Sequence, residues 1–120
     1  MERKQIIKNL GLFLVTKTIS DMGFEVEPSI SSVESNIVAR KNDKEINIKV
    51  RSLSERHAVP IDTLDETIDY IVIAFDLIDN PKFSIIKNDN KITELATVNN
   101  DKWIPFDKYV LHMDNWHILK

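Results

Sequence analysis

From Glu2 to Met22 apolar residues recur mostly three to five positions apart, at Ile6, Leu10, Phe13, Leu14 and Ile19. That repeat predicts a helix with one buried face. Gly23 ends it, because glycine reaches the positive φ of a helix terminus without a Cβ clash. The pattern then shifts to period two. Phe24-Glu25-Val26-Glu27 reads as a short strand closed by Pro28, Ser29 to Glu34 as a polar loop, and Ser35 to Arg40 as a second strand. Glu45 to Arg51 alternates strictly, with Ile46, Ile48 and Val50 on one face and Glu45, Asn47, Lys49 and Arg51 on the other.

Asn42-Asp43 separates these last two strands, and Asn and Asp tolerate the positive φ of a two-residue hairpin loop. With those two residues as the turn, Arg40 pairs with Glu45, Val38 with Asn47, Asn36 with Lys49 and Glu34 with Arg51. Both outer pairs join opposite charges, which stabilise by about 0.2–1 kcal/mol each. Further on, Tyr70 to Phe75 is continuously apolar and predicts a central strand covered on both faces. Phe83 to Ile86 reads as another strand and Asn90 to Val98 as a helix over the sheet. The tail Pro105 to Leu119, with Phe106, Tyr109, Leu111, Trp116 and Leu119, is expected to pack back onto the core.

Composition narrows the class. Apolar residues are 42% and charged residues 29% of 120, an ordinary globular balance, and the expectation is one domain over residues 1–120. Cysteine is absent, so there is neither a disulfide framework nor a thiolate nucleophile, and a cytoplasmic setting is expected. The run Leu10 to Val15 is cut short by Lys17 and resembles neither a secretion signal nor a membrane span. The formal charge of −3 argues against a general nucleic-acid-coating protein. Its distribution matters more. Between Ser35 and Pro60, Arg40, Lys41, Lys44, Lys49, Arg51 and Arg56 face only Asp43, Glu45 and Glu55, leaving that stretch at +3 and the rest of the chain at −6.

The order of helix, Gly-Phe-Glu-Val strand, Asn-Ile-Val-Ala strand, hairpin turn, Ile-Lys-Val-Arg-Ser strand and Tyr-Ile-Val-Ile strand resembles the PD-(D/E)xK nuclease superfamily, in particular small bacterial proteins related to the Mrr group. The likeness covers most of residues 2–86 and, more weakly, Tyr109 to Leu119. It implies a restriction-endonuclease-like α/β fold: a mixed central sheet with an N-terminal helix and flanking C-terminal helices. In that family two acids hold a divalent metal, and a lysine two residues beyond the second polarises the phosphate or the nucleophile. Carried over, these positions are Asn36, Lys49 and Arg51, so both carboxylates are missing. Sliding the motif back to Asn47-Ile48-Lys49 keeps the lysine but leaves amides at both acid positions.

No metal is therefore expected at the inherited site. The resemblance implies a degenerate nuclease that binds DNA or a protein partner in a bacterial DNA-processing or defence system. Lys49, Arg51, Ser52, Ser54 and Arg56 are its nucleic-acid contact candidates. The enzymatic alternative is a Mg2+-dependent endonuclease recruiting Glu34 or Glu45, although Glu45, about four residues from Lys49 at ~3.3 Å per residue, lies too far along its strand to share an ion with Glu34. A third reading, prompted by the acidic remainder of the chain, is an immunity or antitoxin-like partner protein.

Other groups have plainer readings. The carboxylates of Asp62 to Asp69 are expected to cap a helix, with a metal or general acid/base role as the alternative. His57, His112 and His117 lack zinc-ligand spacing and read as surface or packing residues. Trp103 and Trp116 read as core, with base stacking as the alternative. Only Gly11 and Gly23 are present, so no glycine-rich phosphate loop exists and no nucleotide cofactor is expected. The strand over 24–27 is a candidate edge for pairing with a second copy.

Overall fold

A computed structural model describes residues 2–30, 35–61, 64, 66–96 and 103–119. Helix α1 spans Arg3–Asp21, and strands β1 to β3 span Glu25–Ile30, Ser35–Lys41 and Lys44–Ser52. Then come β4 at Val59–Pro60, β5 at Tyr70–Phe75, β6 at Lys82–Lys87, β7 at Trp103–Ile104 and the single-turn α2 at Phe106–Tyr109. The main sheet has the order β1-β2-β3-β5-β6, with β3 and β5 parallel and the other neighbours antiparallel, while β4 and β7 form a separate ribbon. The protein is thus mixed α/β, with an N-terminal helix on a five-stranded mixed sheet.

α1 ends as the glycine predicts. Gly23 has φ 95°, its N–H bonds Ser20 O, and the Phe24 N–H reaches Ile19 O, the paired bonds of a Schellman cap. Phe24 and Ile19 are both buried in the same cluster and complete that motif's apolar contact. The hairpin turn also forms as read, since Asn42 and Asp43 have φ 51° and 65°. The pairs Arg40–Glu45, Val38–Asn47 and Asn36–Lys49 follow from it. Glu34 lies outside the described residues.

The buried face of α1 differs from the expected one. Ile7, Gly11, Leu12, Val15 and Ile19 are buried, whereas Ile6 and Phe13 are exposed, Phe13 by 65%. Apolar residues surround this helix, so spacing alone selects no face; Gly11 selects it. A methyl group there would collide with Ser52 Oγ and lie 2.7 Å from Ser52 Cβ, so only glycine lets α1 approach β3 this closely.

β5 is buried along its whole length, as expected of a strand covered on both faces. On one side Ile46, Ile48, Val50, Tyr70, Val72 and Ala74 pack with α1 and with Leu119. On the other, Ile71, Ile73 and Phe75 pack with Val59, Ile92, Ile104 and Tyr109.

Several elements depart from the sequence reading. β1 continues through Pro28 to Ile30, because an edge strand tolerates a missing N–H. Ile92–Glu94 is one 3₁₀ turn rather than a helix over 90–98, and residues 97 and 98 lie outside the described set. Local bonds from Thr93 Oγ1 to Asn90 O and from the Lys91 N–H to Asp89 Oδ1 compete there with helix propagation. The flanking C-terminal helices reduce to α2 and the 3₁₀ turns Val110–His112 and Trp116–Leu119, since Met113 is extended against Ser84 and Asp114 turns at φ 58°. The tail still delivers Tyr109 and Leu119 to the core, but Leu111 is 76% exposed.

The helical turn expected to be capped by the carboxylates of Asp62 to Asp69 is not formed by the described residues of that stretch. Asp62, Thr63 and Asp65 lie outside the described residues; Leu64 and Glu66 to Asp69 are not helical. Asp69 is committed to β3 instead: its carboxylate accepts the Asn47 N–H at 2.8 Å, and its own N–H bonds Asn47 O at 2.8 Å.

Candidate nucleic-acid interface

β3 alternates its faces, so burying Ile46, Ile48 and Val50 against α1 turns Asn47, Lys49 and Arg51 toward the opposite side of the sheet. Lys49 lies between Asn36 on β2 and Ile71 on β5. It is only 3% exposed. Lys49 is thus enclosed within the sheet and does not line the cleft at the end of β3. Among the alternative acids, Glu45 accepts a hydrogen bond from Arg40 Nε at 2.9 Å. Among the described residues no three His, Cys, Asp or Glu side chains gather as a metal site would require.

The pairing of β2 with β3 is described as far as Asn36–Lys49, and Val50, Arg51 and Ser52 run on beyond it. There a cleft of about 740 Å³ opens between the first turns of α1, the end of β3 and the β4–β7 ribbon. Arg3, Lys4 and Lys8 line it from α1, Arg51 from β3, Ser54, His57 and Ala58 from the following loop, and Pro60 and Trp103 from the ribbon. Among the described residues, four cationic side chains thus share the cleft with the carboxylate of Glu2.

The expected contacts divide accordingly. Arg51, Ser52 and Ser54 all line the cleft, but Ser52 Oγ faces α1, 3.5 Å from Lys8 O, beneath Gly11. Arg56 is drawn away. Its Nε bonds Asp76 Oδ2 at 3.0 Å, and its guanidinium lies 4.9 Å from the centroid of the Phe106 ring. Asp76 also receives Lys82 Nζ at 3.3 Å. Burial alone would raise the Asp76 carboxyl, but the hydrogen bonds and charges of Arg56 and Lys82 outweigh it and hold its pKa below the usual value.

Arg56 is therefore part of a clamp that shapes the cleft loop. Leu53 donates its N–H to Ala74 O at 2.8 Å, and the Asp76 N–H bonds Glu55 O at 3.1 Å. Tyr109 Oη donates to His57 O at 2.9 Å, with the Tyr109 ring wedged edge-on against Phe75 and Phe106. These bonds fix the segment carrying Ser54, His57 and Ala58.

Sequence reasoning missed Arg3, Lys4 and Lys8, and it read Trp103 as core. Trp103 is half-buried on the cleft wall, while Trp116 packs at 5.7 Å against Phe83 on the α1 side. A signal for the α1 cations was present. The first turn of α1 contains no acid and Glu2 makes no side-chain cap, whereas the helix dipole favours carboxylates there and disfavours Arg3 and Lys4. Residues placed against local stability are expected at functional or strained sites. No family model matches the chain, and neither curated proteins nor solved structures give a significant match.

Proposed function

We propose that this chain is a nuclease-fold protein, of the restriction-endonuclease-like type, whose metal site is degenerate and which works as a nucleic-acid-binding module. The observation that carries the binding role is the cleft, where Arg3, Lys4, Lys8 and Arg51 meet around one concavity on a chain that is otherwise acidic. Phosphate binding is driven by such clustering, and each neutralised phosphate releases condensed counterions. The nuclease-fold part is supported by the order of elements and by the adjacency of Asn36 and Lys49 at the two family acid positions. An amide and an ammonium offer a cation no carboxylate.

Fluorescence anisotropy with a labelled oligonucleotide tests the binding role. Affinity is expected to fall steeply with salt, and Arg51→Glu is expected to weaken it at least tenfold and to flatten the salt dependence. Unchanged affinity in Arg51→Glu, or no binding by the natural chain at low salt, would overturn the reading.

A further inference from the structure

The two walls of the cleft differ in chemistry. The α1 wall carries Arg3, Lys4 and Lys8, with Arg51 at the end of β3, while the ribbon wall presents Trp103 beside Pro60. Resting on the nucleic-acid reading of this cleft, we propose that its ligand is single-stranded nucleic acid, with phosphates along the α1 wall and an unstacked base against the Trp103 indole.

Each wall suits a different part of a nucleic acid. A duplex presents its phosphates outward and keeps its base faces stacked inside, so it offers cations a partner but an aromatic face none. A single strand exposes both, and sites for it combine a cationic track with aromatic platforms. Trp103 is suited to that role because β7 pairing fixes its backbone opposite Pro60 while the residue, partly exposed, lines the cleft. The loop opposite is also set in advance. Tyr109 Oη holds His57 O, and Arg56 holds Asp76, so little ordering cost falls on binding. Stacking reads no base edge, so sequence preference should be weak.

The test compares oligothymidylate with a mixed-sequence duplex of equal length by anisotropy, for the natural chain, Trp103→Phe and Trp103→Ala. The single strand is expected to bind at least tenfold tighter than the duplex. Trp103→Ala is expected to lose about tenfold or more of that affinity, while Trp103→Phe retains most of it. Circular dichroism establishes that each variant is folded, and should Trp103→Ala fail to fold, the strand preference of the natural chain decides. Equal or tighter duplex binding would overturn the single-strand inference while leaving the binding role standing. Binding of neither would overturn both.

Discussion

Asp76 and Tyr109 carry the residue-scale consequences of the clamp. Because the Asp76 carboxyl titrates below its ordinary value, its contribution to stability is present in full above about pH 4, the unfolded value, and is lost as pH falls through the folded value. Tyr109 works at the other end of the scale. Burial, reinforced by Asp76 and opposed by Arg56, pushes its phenol from 10.0 up to about 12. Its contribution is therefore complete below pH 10 and disappears as pH rises toward about 12, a loss on the order of 2 kcal/mol. Thermal unfolding followed across pH should show Asp76→Asn flattening the acid limb and Tyr109→Phe flattening the alkaline one. An alkaline limb unchanged in Tyr109→Phe would contradict the assignment. The sequence reveals Gly23, Asn42 and Asp43 because positive φ has a chemical signature. It did not reveal that Arg56 is occupied, because charge type carries no information about a partner on a loop twenty residues away.

At the scale of elements, the hairpin was legible and the face of α1 was not, for different physical reasons. The hairpin register follows from turn chemistry and strict alternation, and one residue of slip would carry Ile46, Ile48 and Val50 to the wrong face. A helix with apolar residues on every side has no such penalty, and close approach at Gly11 decides instead. Gly11→Ala is accordingly expected to destabilise the protein by about 1–3 kcal/mol, as overpacking does. Ser52→Gly in the same chain should restore much of that loss, because both obstructing atoms belong to the Ser52 side chain. Denaturant unfolding of the two variants measures this, and a fully stable Gly11→Ala would show that the α1–β3 contact is not tight. The C-terminal helices could not be read because their breakers are tertiary. The pairing of Met113 with Ser84 and the hydrogen bond from the Asp114 N–H to Phe83 O at 2.8 Å hold that segment extended.

Across the whole molecule, no described helix is long and apolar enough to cross a membrane. The edge at β1 carries Pro28 together with Glu25 and Glu27, devices that blunt strand pairing and weigh against a second copy docking there. The basic stretch foreseen between Ser35 and Pro60 does not act as one surface. Arg40 pairs with Glu45, Lys49 is enclosed, Arg56 is clamped, and only Arg51 joins the cleft. The three cations that join it come from the N-terminal helix, more than forty residues away in sequence, which linear charge patterning cannot bring together.

The proposed function pairs a nuclease-type fold lacking its metal ligands with a binding cleft, and calorimetric titration of magnesium tests that proposal most directly, with the natural chain beside Asn36→Asp combined with Lys49→Glu. The account predicts no binding heat from the natural chain and stoichiometric binding by the double variant, since the register sets those two carboxylates side by side. Magnesium binding by the natural chain would contradict the degenerate site, and binding by neither would contradict the nuclease-fold assignment.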